Sequence, residues 1–254
     1  MKFNPTIRHP WVVILLAAIM HFPAQAFDSV DEQIDHYLEV LARGGNDQKI
    51  QMLKGLQWSG ISDPRLFDPV AEQVESRYLE GNLNKPEIQL IAHQIRALGY
   101  SGNDKYNDLL RRVESDAADK RFRKHAKKAL IELDQFSLWN MKIRIADAPT
   151  EGKSVEIATY MKMLSVDDPA VQRLGARAIY AQRLNDPDLI NVAAQQLEDM
   201  YNRPGLDKTG QDTAAWLCKA IGQSGNFDHV DLLSRVAAES QYKKVRKHAQ
   251  KYAK

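Results

Sequence analysis

Cysteine is almost missing from this chain: Cys218 is the only one in 254 residues. One thiol cannot form an intramolecular disulfide, so small disulfide-framework folds are excluded and stability must come from packing. With 13 Gly and 10 Pro, collagen-like and low-complexity classes are excluded as well. An excess of one charge is also lacking, since 35 Lys and Arg stand against 33 Asp and Glu. That balance gives no global basic character of the kind nucleic-acid-binding domains carry, so no nucleic-acid partner is expected. Beyond residue 20 no apolar run is long enough to cross a bilayer. Strand-like alternation of apolar and polar residues is nearly absent too.

What is present begins with the one apolar run, Trp11 to Met20, behind a basic start at Lys2 and Arg8. Ala24-Gln25-Ala26 has the small-x-small form of a signal-peptidase site. Residues 1–26 therefore read as a secretion signal cleaved between Ala26 and Phe27. The ten-residue run is short for a membrane span, and no cysteine near the cleavage point offers a lipid acceptor. The expectation is an exported protein, periplasmic or secreted, of 228 residues, without a membrane span after cleavage. Removing the signal takes two basic residues and no acidic one, which leaves a formal net charge of zero.

The rest of the chain carries helical periodicity. Ile88, Ile91, Ile95 and Leu98 recur at helical spacing, as do Tyr106, Leu109, Leu110 and Val113. Asp63-Pro64, Asp168-Pro169 and Asp186-Pro187 each place an N-cap acid before a proline at the first helical position, where its missing N–H costs nothing. A long-range repeat organises these helices. Residues 97–131 align without a gap to 220–254, with 16 identities in 35 positions, where average composition would give about two. Ser101-Gly102-Asn103 matches Ser224-Gly225-Asn226, and Arg123-Lys124-His125-Ala126 matches Arg246-Lys247-His248-Ala249. The offset of 123 is three units of 41, a period of two-helix repeats.

Phe122-Arg123-x-x-Ala126-x-x-Ala129-Leu130 resembles the second-helix signature of HEAT repeats, Val-Arg-x-x-Ala-x-x-Ala-Leu. Val245-Arg246-x-x-Ala249 repeats it, and Asp168-Pro169-Ala170-Val171 with Ala178-Ile179 is a looser copy in which Gln172 replaces the arginine. The resemblance to the HEAT and HEAT-like (lyase-type) helical repeats covers essentially the whole chain after residue 26. It implies an all-α, armadillo-like fold, a right-handed α–α superhelix of about six hairpins. First helices are expected near 30–42, 64–80, 104–115, 153–165, 187–201 and 227–238. Second helices are expected near 46–58, 86–98, 119–133, 169–182, 208–222 and 242–254. The domain reading is 27–135 for three hairpins, 136–152 for an inserted helix or joint, and 153–254 for three more, in one continuous solenoid.

Chemistry is hard to find. His36, His93, His125, His229 and His248 form no metal-ligand spacing. Asp228-His229-x-Asp231 lies at a helix start, where capping explains its acids. There is no Gly-x-Ser-x-Gly element and no phosphate-binding glycine loop. Cys218, at helical spacing with Ala214, Leu217 and Ile221, reads as a packing thiol. Trp216 reads as core, while Trp58 and Trp139 are open to exposure. HEAT-like repeats also occur in chromophore lyases and DNA alkyl-base glycosylases, but nothing marks such a site here. No enzyme activity, cofactor or metal is expected.

Charge is distributed unevenly. The six first helices sum to −9 and the six second helices to +14. Helical-wheel placement points Lys120, Arg121, Lys124, Lys127 and Lys128 away from the apolar face of one second helix. It points Lys243, Lys244, Lys247, Lys251 and Lys254 away from that of another. In HEAT-like solenoids the second helices line the concave surface, which implies a basic groove that attracts an anionic partner. The leading expectation is a binding scaffold that takes an acidic protein or peptide through Lys120, Arg121, Lys124, Lys127, Lys128, Lys243, Lys244, Lys247 and Lys251. Association of the same cations with anionic lipid head groups or polysaccharide of the cell envelope is the alternative.

Overall fold

The computed structural model describes residues 26–253. The expected signal falls almost wholly outside them, as does Lys254. Twelve α-helices and three short 3₁₀ turns account for the regular structure, with no strand among the described residues. The helices are α1 (Val30–Arg43), α2 (Asn46–Gly55), α3 (Pro64–Arg77), α4 (Lys85–Tyr100), α5 (Asn107–Asp116) and α6 (Lys120–Ile145). They continue as α7 (Val155–Ser165), α8 (Pro169–Gln182), α9 (Pro187–Met200), α10 (Lys208–Ser224), α11 (Val230–Glu239) and α12 (Lys243–Ala249). None of these helices is long and apolar enough to cross a membrane.

Local chemistry sets the starts. Asp63, Asp168 and Asp186 cap α3, α8 and α9 by accepting from the backbone N–H of Arg65, Ala170 and Leu189, at 2.9, 2.9 and 3.0 Å. Each satisfies an N–H that has no partner within the helix. Asn84 and Glu87 cap α4 reciprocally. The Ser-Gly-Asn turns are built alike: the Ser101 hydroxyl donates to Leu98 O and accepts from Asn103 N–H. Ser224 does the same with Ile221 and Asn226.

Each odd-numbered helix packs on the even-numbered one that follows it. The even-numbered helices also lie side by side in two runs, α2–α4–α6 and α8–α10–α12. The arginine of the repeat signature ties each hairpin together. Arg123 donates to the carbonyls of Ala117 and Ala118 at the end of α5. Arg246 donates to Ser240 O at the end of α11. Gln172, the substitute for arginine, reaches Leu164 O in α7 at 3.3 Å. These bonds satisfy carbonyls that a helix C-terminus leaves unpaired.

Residues 136–148 do not form a separate inserted element. They extend α6, which runs 26 residues without a break. Lys120 to Ile145 contains no proline or glycine, and Leu133, Phe136, Asn140 and Ile143 continue one buried stripe. The core nevertheless divides along this helix. Leu133 belongs to an apolar cluster reaching back to Ile34. Phe136, Trp139 and Ile143 belong to one reaching forward to Ala249. Tyr100 borders both.

The first hairpin also meets the second half. Phe27 is buried against His36 and Tyr37, and its carbonyl accepts from Val155 N–H at 2.9 Å. Trp58 packs on the second cluster, and the backbone of Gly60 lies against Thr159 and Ile143. Glu156, half-buried beside Tyr37 and Tyr160, has its carboxyl pushed up to about 7 by burial.

Candidate anion-binding face on the even-numbered helices

The apolar positions of α6 and α12 turn Phe122, Ala126, Ala129 and Val245, Ala249 inward. Lys120, Arg121, Lys124, Lys127 and Lys128 are then exposed on α6. Lys243, Lys244 and Lys247 are exposed on α12, with Lys251 just beyond it. Their electrostatic situations differ. Arg121 is held by Asp119, the N-cap of its own helix, through its Nε at 2.9 Å. Lys244 donates to Asp212 at 2.6 Å. Lys128 lies 3.8 Å from Glu132. Lys120, Lys124, Lys127, Lys243, Lys247 and Lys251 have no carboxylate within 4 Å among the described residues.

Odd-numbered helices handle cations differently. Arg43 pairs with Glu39, Arg65 with Asp31 and Asp63, and Arg77 with Glu80 and Glu87. Arg112 pairs with Glu75 and Arg235 with Glu198. Most cations on the odd-numbered helices are thus paired locally, and most of the unpaired positive charge among the described residues sits on the even-numbered helices.

A second, sunken row lies on the same helices, and sequence reasoning missed it. His93, Arg96 and Tyr100 of α4 neighbour His125, Lys128 and Glu132 of α6. The Arg96 guanidinium bonds Glu132 at 2.7 Å, lies over the Tyr100 ring, and both charged side chains are largely buried. Burial lowers the His93 pKa to about 4, assisted by Lys54, His125 and Arg96. Burial also lowers that of His125, with Arg96, Lys124 and Lys128 adding to the effect.

The corresponding region of the second half is built around Trp216. Lys219 Nζ stands 3.6 Å from the centre of its ring, and the Arg177 guanidinium 5.6 Å away. Tyr180 meets the indole edge-on at 5.5 Å. Such cation–ring contacts are favourable, the more so when partly shielded from water. Trp216 is therefore a half-buried platform for two cations as well as part of the packing, where the sequence reading placed it in the core. Burial depresses the Lys219 pKa; Asp212 opposes this, and Lys251, Lys244 and Arg177 add to it. His248 is depressed by burial and then by Lys219, Lys251, Lys244 and Lys247. Its Nδ1 is buried without a hydrogen-bond partner. The signal that could have exposed this row was the half-buried flank of α4, α8 and α10. There His93 and Arg96, Arg177 and Tyr180, and Trp216 and Lys219 each stand three residues apart.

The remaining candidates resolve simply. Trp139 is buried against Phe136. Trp58 is half-buried with its indole N–H shielded and unpartnered. Cys218 is fully buried, and burial pushes its thiol up to about 12. His229 Nε2 lies 3.1 Å from Asn191 Oδ1, and Asn226 caps Asp228 N–H, so the Asp228-His229-x-Asp231 group serves the turn. Among the described residues no group of three or more His, Cys, Asp or Glu could hold a metal ion. No protein-family model, curated protein or solved structure matches the chain.

Proposed function

We propose that this chain is an exported helical-repeat scaffold that holds an acidic protein or peptide segment. In this reading its HEAT-like hairpins stack into a right-handed superhelix. The even-numbered helices form its inner surface, and binding rather than catalysis is the activity. The observation that carries the reading is the asymmetry of ion pairing. Cations on the odd-numbered helices are mostly matched by nearby acids. Lys124, Lys127, Lys243, Lys247, Lys251, Arg177 and Lys219 on or beside the even-numbered helices are not. Unmatched cations on one face raise the local concentration of an anionic partner and speed its encounter, and salt weakens the effect.

Titration of the protein with a poly-glutamate peptide at low and high salt tests this. Binding is expected to weaken at least tenfold with added salt. It should be lost in the variant K124E/K127E/K247E/K251E and retained when Arg111 on α5 is reversed by R111E. Equal loss in both variants, or unchanged affinity in the first, overturns the reading. Binding of phosphatidylglycerol vesicles in place of the peptide would assign the same cations to the envelope.

A further inference from the structure

The two halves related by the 123-residue offset differ in how the half-buried cation of the basic face is paired. Within the repeat His125 corresponds to His248 and Lys128 to Lys251, and the same offset carried back along α4 and α10 sets Arg96 against Lys219 and His93 against Trp216. In the first copy Glu132, one turn beyond Lys128 on α6, bonds Arg96 at 2.7 Å and lies 3.8 Å from Lys128. A single carboxylate thus serves both the largely buried Arg96 and the exposed Lys128. In the second copy α12 ends at Ala249. The chain then tightens into a turn, with Lys251 N–H on His248 O and Tyr252 N–H on Ala249 O. The Tyr252 ring is laid over Gly222. Glu132 has no counterpart among the described residues of the second copy.

Lys219 is left half-buried on the Trp216 ring with no carboxylate within 4 Å among the described residues, and so is Arg177 beside it. Lys244 and Lys251 both lie near enough to disfavour the charge on Lys219. Of the acids in reach, Asp212 is already shared by Lys244 and Arg173. His248 adds a buried ring nitrogen without a partner. Clustered, partly desolvated like charges are costly unless an anion joins them.

We infer that a carboxylate side chain of the bound acidic segment completes this cluster. It sits between Lys219 and Lys251 where Glu132 sits between Arg96 and Lys128, with the aliphatic part of that side chain against the Trp216 ring. The inference rests on the reading of the basic face as an acidic-peptide site and locates its anchor. Charged groups shielded at the centre of an interface contribute more than those on its rim. Lys219 therefore outweighs any single exposed lysine of the α6 ridge.

The test uses the full mature chain and the capped peptide acetyl-(Glu)6-amide, followed by calorimetry and by the Trp216 indole N–H resonance, assigned with W216F. The expected result is a shift of that resonance on binding, with affinity at least tenfold weaker in K219Q and in K251Q. K124Q should change affinity no more than twofold. Thermal melting of K219Q confirms that the fold is kept, and K219R should restore most of the affinity. Peptide binding with an unmoved Trp216 resonance and unchanged affinity in K219Q overturns this anchor while leaving the basic-face reading intact. Absence of peptide binding to the unmodified chain overturns both. Lys219-dependent binding of phosphatidylglycerol vesicles without peptide binding overturns the carboxylate assignment.

Discussion

Residues 97–131 and 220–253 begin alike and end differently. Both open with a Ser-Gly-Asn turn carrying the same side-chain bonds, and both use the signature arginine to close the hairpin. In the first copy the second helix runs on to Ile145 and crosses behind the turn, so that Asn140 donates to the Tyr100 and Ser101 carbonyls. In the second copy that helix stops at Ala249 and the turn stays open to solvent. A similar stretch of chain is therefore enclosed, with its buried arginine paired, in one half, and open, with its half-buried lysine unpaired, in the other. The lesson is that a repeat copies its local geometry faithfully, while what packs over it is set by the residues that follow.

The enclosure itself gives the largest expected effect. Gly102 and Gly225 both adopt positive φ, 59° and 73°. A Cβ on Gly102 would collide with the backbone of Phe136 and Ser137, whereas one on Gly225 would meet nothing. G102A is expected to lower stability by about 3 kcal/mol or more, and G225A by about 1 kcal/mol, the cost of the left-handed conformation alone. Urea unfolding of the two variants decides it, and equal losses would erase the distinction between the copies.

The buried acid comes next. Removing Glu132 leaves Arg96 without a counter-charge in a largely buried site, with only the Tyr100 hydroxyl still accepting from it. E132A should cost about 2–3 kcal/mol, less than a fully buried pair because both groups keep some solvent. Asp212, which serves Lys244 and Arg173 in a more open setting, should cost about 1 kcal/mol in D212A. Reversal of that order in denaturant titrations would mean that the second cluster is the better neutralised one.

The smallest effect is the pH dependence contributed by His93, which stands in the first half where the second half has Trp216. The His93 pKa in the folded chain, about 4, lies below the ordinary 6.5. Between those values the unfolded chain binds a proton that the folded chain refuses. The stability linked to His93 is thus fully present above pH 6.5 and is lost as pH falls toward 4. H93Q should reduce the loss between pH 6.5 and 5 by about 1 kcal/mol, discounted because the ring is only half-buried. Parallel pH profiles for H93Q and the unmodified chain would remove His93 from this account.

Much of the helical order was legible because its causes are short-range. Asp63, Asp168 and Asp186 announce caps two or three residues ahead, and the Ser-Gly-Asn turns bond within themselves. The exposed ridge of α6 was legible for the same reason, since Phe122, Ala126 and Ala129 orient it. The continuity of α6 was not. Pro149 and Gly152 suggested a joint around residues 136–148, yet these punctuate the chain only after Ile145, and the buried stripe passes through Leu133 and Phe136 without a break. Trp216 was read by its neighbour Leu217 as core. A helical residue on the flank between core and solvent looks the same in sequence whichever side it faces.

Sequence alone determined an alternation of twelve helices, their caps and turns, and the excess of cations on every second one. Each of these depends on residues within about one helical turn. Only the tertiary structure decided which cations are neutralised. Arg96 finds Glu132 at a separation of 36 residues, Arg173 finds Asp212 at 39, and Lys219 and Arg177 have no carboxylate within 4 Å among the described residues. It likewise decided that the first hairpin meets α7 and α8 through Phe27 and Trp58. Pairing between helices depends on how closely their axes approach and where each one ends. No periodicity within a single helix encodes that.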